Sequence, residues 1–157
     1  MKRSIILLST VIGYFLLCAV SCDDDTPHIT VKGIEEQIYK EIQTFRDTNG
    51  QTGTFTHQWN VMVKEAQLFS AKMAGESNVD TTGIADVWAT IHELLGGSNE
   101  LTLLQQTTST TAAEIAANWT NDSTASSLLL GNYTMCGVGV EYDTEQVAYV
   151  TLLLMLY

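Results

Sequence analysis

Two hydrophobic periods follow one another along this chain, and the change between them divides its fold. Ile34, Ile38, Ile42 and Phe45 recur at spacings of four, four and three, which puts them on one face of a helix. The stretch "DTNG" ends that helix, because Asn49 and Gly50 both tolerate the left-handed backbone that helix ends often need. "QWNVMVKEAQLFSAKMAG" repeats the pattern with Trp59, Met62, Ala66, Phe69 and Met73, and stops at Gly75. A third helix is expected in "TTGIADVWATIHELLGG", with Ile84, Val87, Trp88, Ile91 and Leu95 inward and the glycine pair as its stop. A fourth is expected in "STTAAEIAANW", capped by Ser109 and burying Ile115 and Trp119.

Near the C-terminus the period becomes two. "CGVGVEY" alternates Val138, Val140 and Tyr142 with Gly137, Gly139 and Glu141; "DTEQ" offers a turn, and "VAYVTLLLMLY" begins a second run. These read as two antiparallel strands. In the last one both faces are apolar, with Val147, Tyr149, Thr151, Leu153 and Met155 on one side and Ala148, Val150, Leu152, Leu154 and Leu156 on the other. An antiparallel strand with no wet face needs cover on both sides, and four helices can supply it. The expected fold is therefore α+β, a three-layer α-β-α sandwich around a mainly antiparallel sheet. Gly137 and Gly139 either let a helix or loop approach the sheet backbone closely or mark a bulge.

The N-terminus belongs to neither pattern. "MKRSIILLSTVIGYFLLCAVSC" has two cations followed by a mostly apolar stretch over residues 5–20, the layout of a secretory signal. It falls short of the roughly 20 residues of a membrane-spanning helix. Ala19 and Ser21 lead directly to Cys22, as at the end of a bacterial lipoprotein signal, although Ala19 stands where such a box usually has leucine. Residues 1–21 are thus expected to be removed and Cys22 to carry lipid. Acyl chains at about 0.8 kcal/mol per buried methylene would then hold the protein on a bacterial envelope membrane. Residues 22–33 form an expected leash, with Pro27 and the run Asp23, Asp24, Asp25. That run either resembles the acidic tether that routes some lipoproteins to the cell surface or is a plain soluble spacer.

At 157 residues, the remainder suits one domain over residues 34–157. The formal charge is −11, and loss of Lys2 and Arg3 with the signal takes it to −13. Such a chain repels polyanions, so nucleic acid is excluded as a partner. Of three cysteines only Cys136 lies within the domain, which leaves no internal disulfide framework.

Taken together these segments resemble the CAP superfamily, the SCP-like extracellular domain, over residues 34–157. "IYKEIQTFRDTNG" with Arg46, then "QWNVMVKEAQLFSAKMA", look like the family's opening helices; Trp119, "CGVGVEY" and "YVTLLL" look like its late helix and closing strands. Many members have a cleft lined by two histidines and two acids that in some of them binds a divalent metal. Here the resemblance places Asn78 and Ala125 at the two histidine positions, with Glu100 and Asp122 as echoes of the acids. Leu101 stands in place of the asparagine that follows the family's glutamate. Two carboxylates without imidazole make a poor zinc site, and no tightly bound cofactor is expected; a hard cation such as calcium could be held weakly.

The remaining histidines do not rebuild the set. His28 lies in the leash, His57 precedes Trp59, and His92 sits in "HELLG", which has no second histidine four residues on and so is not a zinc-protease helix. No histidine can be assigned as base to any serine, and no catalytic residue is expected. The resulting expectation is an exported, membrane-anchored binding module. Its candidate cleft contains Glu100, Asp122 and Asn78, and its ligand is a small molecule, glycan, lipid or protein. The alternatives are a hydrolase using Glu100 and Asp122 as a carboxylate pair, and a purely structural surface domain.

Overall fold

A computed structural model describes residues 30–51, 56–57 by backbone alone, and 61–157. Cys22, His28, the signal and most of the leash, together with Trp59 and the His57 side chain, lie outside the described residues. Among the described residues five helices and four strands follow in the order α1 (Gly33–Thr48), β1 (Thr56–His57), α2 (Met62–Glu76), α3 (Ile84–Leu95), β2 (Ser98–Thr107), α4 (Ala112–Thr120), α5 (Ser123–Leu129), β3 (Met135–Tyr142) and β4 (Ala148–Leu156). The strands form one sheet in the order β1-β3-β4-β2. β1 runs parallel to β3, whereas β3/β4 and β2/β4 are antiparallel.

The doubly apolar strand is the centre of the sheet. From Ala148 to Met155 every residue of β4 is buried, with β3 on one side and β2 on the other. Alternation along β3 and β4 feeds two cores. One joins Cys136, Val138, Val140, Val150, Leu152 and Leu154 to Ile38 and Ile42 of α1, Ile115 and Trp119 of α4, and Leu129 of α5. The other joins Tyr149, Leu153 and Met155 to Met62, Ala66, Phe69 and Met73 of α2 and to Val87, Trp88 and Ile91 of α3. The architecture is thus α+β in three layers.

Gly137 and Gly139 lie where α2 crosses the sheet. A Cβ at Gly137 would overlap the backbone of Met62, and one at Gly139 would overlap the carbonyl of Ala66. The β3/β4 register runs without a break past both glycines, so close helix approach, not a bulge, is their structural role. Ser70 on the same helix face donates to the Gly139 carbonyl at 2.9 Å and bonds Thr151 Oγ1 at 2.9 Å.

Buried charged side chains tie the layers together. Glu35 is fully buried at the start of α1. It accepts from the Lys32 backbone N–H at 2.8 Å, from Gln67 of α2 at 2.7 Å and from the Val140 N–H of β3 at 3.0 Å. Lys32 donates to the Val140 carbonyl and pairs with Glu141 at 2.7 Å, which holds the Glu141 carboxyl below the usual carboxylate range. Of the expected leash, the described residues Thr30 and Lys32 therefore bond to the domain, Thr30 through its carbonyl and Gln67. Arg46 is 1% exposed and donates to the carbonyls of Leu129, Gly131 and Tyr133, fastening the end of α5 to α1.

One local expectation needs correction. The cap of α4 is Thr111, whose hydroxyl accepts from Glu114 N–H, not Ser109. Two further elements had no counterpart in the sequence reading: "STASSLL" is helical, and "SNELTLLQQT" is a strand. The turn after β3 is as expected, with Asp143 accepting from the backbone N–H groups of Glu145 and Val147, each at 2.9 Å, before β4 starts at Ala148.

A paired substitution checks the close approach. Gly139→Ala should lower stability by about 1 to 3 kcal/mol in urea unfolding, the usual cost of overpacking. Gly75→Ala, at a helical position with nothing within 4 Å of the added Cβ, should raise it by about 0.4 to 1 kcal/mol. Equal effects at the two positions would contradict this packing.

Candidate functional site

α4 and α5 meet at a corner built by Asp122. Its backbone is extended, and its carboxylate Oδ1 accepts from Thr124 N–H at 3.0 Å and Ala125 N–H at 2.7 Å. The carboxylate thereby satisfies two of the donors exposed at the start of α5 and complements the positive end of the helix. With Arg46 holding the other end, the seven-residue helix is fixed at both termini.

Between this corner and the outermost strand, β2, lies an open groove of about 540 Å³. One wall is formed by Leu103, Leu104, Gln105 and Gln106 of β2, and the other by Asn118, Trp119, Asp122, Thr124, Ala125 and Leu128. Trp119 and Ala125 are buried, whereas Leu128 is 43% exposed and gives the rim an apolar side chain. Gln105 is 9% exposed, yet among the described residues neither its amide oxygen nor its amide nitrogen has a hydrogen-bond partner. A buried amide without a partner costs about 1 to 3 kcal/mol. The groove wall thus holds an unmet donor and acceptor.

Asp122 and Ala125 share this groove, but the other two candidates lie elsewhere. Asn78 follows the left-handed end of α2 at Ser77; it is exposed, and its N–H bonds the Met73 carbonyl at 3.1 Å. Glu100 sits at the irregular start of β2 and bonds His92 Nε2 from the end of α3. The other ring nitrogen, Nδ1, lies 3.3 Å from the Gly96 carbonyl. Hydrogen bonding to Glu100 raises the His92 pKa above its ordinary value.

Among the described residues no three His, Cys, Asp or Glu side chains cluster as a metal site. Cys136 is fully buried on β3, and burial pushes its thiol well up, so at neutral pH it is a protonated core side chain. Gln105 and Leu128 were not singled out from sequence. Gln105 becomes conspicuous only once "LTLLQQT" is recognised as a strand, because it then shares a face with Leu101 and Leu103, which pack against the core.

The fold and groove define a three-layer α+β domain with a recess beside the terminal strand of its sheet. No protein-family profile matches the chain, and no curated protein does. Among solved structures, an outer surface protein from Borrelia burgdorferi shares the fold with a TM-score of 0.67, covering 82% of this chain and 96% of that one at 14% sequence identity.

The His92–Glu100 contact gives a pH signature. The folded-state pKa of His92 is raised, so the contact's contribution is complete below the ordinary histidine value of about 6.5. It is lost as pH rises through the higher folded value. Unfolding midpoints should therefore fall across that interval in the parent protein and flatten there in Glu100→Gln. An unchanged profile in the variant would remove the contact as the cause.

Proposed function

We propose that the mature chain is an exported, lipid-anchored, non-catalytic binding module of CAP-like kind, with the β2/α4–α5 groove as its recognition surface. The observation that carries this reading is the unpartnered Gln105 amide in the wall of a groove that also contains Asp122 and Ala125. A ligand polar group reaching that amide would recover a hydrogen bond that the unliganded protein lacks, while Leu103 and Leu128 supply apolar contact.

The anchor rests on the signal-like N-terminus ending at Cys22. Surface placement draws support from the shared fold with a Borrelia outer surface protein. Among the described residues no helix is long and apolar enough to cross a membrane, so attachment would fall to the N-terminal segment. The carboxylate-pair hydrolase gains no support from the geometry, since Glu100 serves His92, Asp122 serves the α5 cap, and only Asp122 lines the groove.

Two tests address the two halves of the proposal. Cys22→Ala should move the protein from the membrane fraction to the soluble fraction, and full membrane retention would reject lipidation at that residue. In a thermal-shift screen of glycans, lipids and peptides, any ligand that saturably stabilises the parent protein should lose most of its effect in Leu128→Arg, which changes an exposed rim residue. Retained binding in that variant would move the site away from the groove.

A further inference from the structure

The two edges of the sheet are treated differently. Beyond its short pairing with β1, β3 has an outer edge, and there the Val140 N–H is taken by Glu35 and the Val140 carbonyl by Lys32. At the opposite edge, among the described residues, β2 pairs only with β4. Among the described residues no hydrogen bond from outside β4 reaches the backbone of residues 101–106. In an antiparallel pair, alternate residues turn their N–H and C=O groups away from the partner, so this edge presents an unfilled row of donors and acceptors. Natural proteins usually guard such an edge with lysine, proline or a bulge. Here the irregularity and Glu100 are confined to the start of β2, and "LTLLQQT" contains neither a charge nor a proline.

The groove lies along this edge. Four consecutive β2 residues, from Leu103 to Gln106, line it, and consecutive residues point to opposite faces of a strand. A recess touching all four therefore follows the edge of the backbone itself. Charge selects the occupant. All five lysines and arginines of the mature chain lie at or before Lys72, while residues 73–157 contain ten Asp and Glu and no Lys or Arg. No cation lines the groove, and Asp122 does.

We infer that the groove takes an extended, cationic segment of a partner polypeptide, which adds as a fifth strand to the outer edge of β2. This rests on the groove being the recognition surface and specifies its ligand. Main-chain hydrogen bonds to β2 provide affinity whatever the sequence. The Gln105 amide gains a partner from the incoming chain, and lysine or arginine side chains meet the Asp122 carboxylate and the acidic half of the domain.

The test uses the full chain in detergent micelles, labelled for backbone amide spectroscopy. The probes are a short blocked peptide of alternating lysine and valine, its glutamate counterpart, and a lysine peptide methylated at alternate backbone nitrogens. The lysine peptide should saturably shift the amides of residues 101–107. The glutamate and methylated peptides should bind at least about tenfold more weakly, the loss expected from one or more missing interactions of about 1.4 kcal/mol. Asp122→Asn, which keeps a good helix cap, should weaken the lysine peptide and reduce its salt dependence, and Gln105→Leu should weaken it at either salt.

Unmoved β2 amides at millimolar lysine peptide would overturn the inference, as would equal binding of the methylated peptide. So would a concentration-dependent dimer in which a second copy occupies the edge. Binding of a glycan or lipid that is lost in Leu128→Arg while β2 amides stay unmoved would sink strand addition alone and leave the groove as a binding site.

Discussion

Everything in this fold is referenced to the contact between the backbone of α2 and the two glycines of β3. Side chains normally hold a helix about 10 Å from a sheet, the spacing of packed layers. Where Gly137 and Gly139 face Met62 and Ala66, that spacer is missing and backbone meets backbone. The same strand shows Cys136, Val138 and Val140 to the other layer. One strand therefore has a thin face and a thick face, and the thin face fixes the position of α2 along β3 more tightly than a greasy interface would. Ser70 uses the proximity to bond Gly139 and Thr151, so the polar atoms brought into the interior by close approach are satisfied there.

Once α2 is seated, the buried charges have defined tasks. Glu35 joins α1, α2 and the edge of β3. Arg46 donates, with one guanidinium, to three carbonyls at the end of α5 and in the turn that follows it. Burial lowers the Arg46 pKa, but a guanidinium stays protonated well above neutral pH, so the fastening is permanent. The Gln43 amide oxygen is also buried without a partner among the described residues, but its nitrogen bonds Asp47, whereas Gln105 is a buried amide with neither end used. The contrast gives the groove a meaning that its volume alone would not.

The legible parts of the fold were those with a long period or a strong alternation. Helices α1 to α4, the β3/β4 hairpin and the double cover of β4 all follow from apolar spacing, because burial of one or both faces leaves a direct trace in sequence. β2 was missed because it is a terminal strand. Its Leu101, Leu103 and Leu104 are only partly buried and feed two different cores, so no clean alternation results. α5 was missed because its stability comes from Asp122 at one end and the distant Arg46 at the other, not from an apolar stripe. At the site, the family resemblance singled out Asp122 and Ala125, and both line the groove. Glu100 and Asn78 were placed by the family resemblance, and the structure sets them apart from the groove, Glu100 beside His92 just past the glycine pair that ends α3 and Asn78 after the left-handed Ser77 that ends α2.

The distribution of charge has a further consequence for a domain tethered at its N-terminus, the arrangement proposed for Cys22. After the signal, the lysines and Arg46 all lie between Lys32, just ahead of α1, and Lys72 of α2, and Arg46 is consumed in the interior. The later helices and strands, which build the groove, have only acidic side chains to offer an anionic lipid surface. Within a Debye length of about 8 Å at physiological salt, that half of the domain would be repelled by lipid headgroups. The α1 end, next to the leash and containing Lys32 and Lys40, would be repelled least. If the chain is anchored as proposed, the tether and the charge asymmetry would act in the same sense, both favouring the start of α1 toward the membrane, which leaves the opposite sheet edge, β2, toward solution.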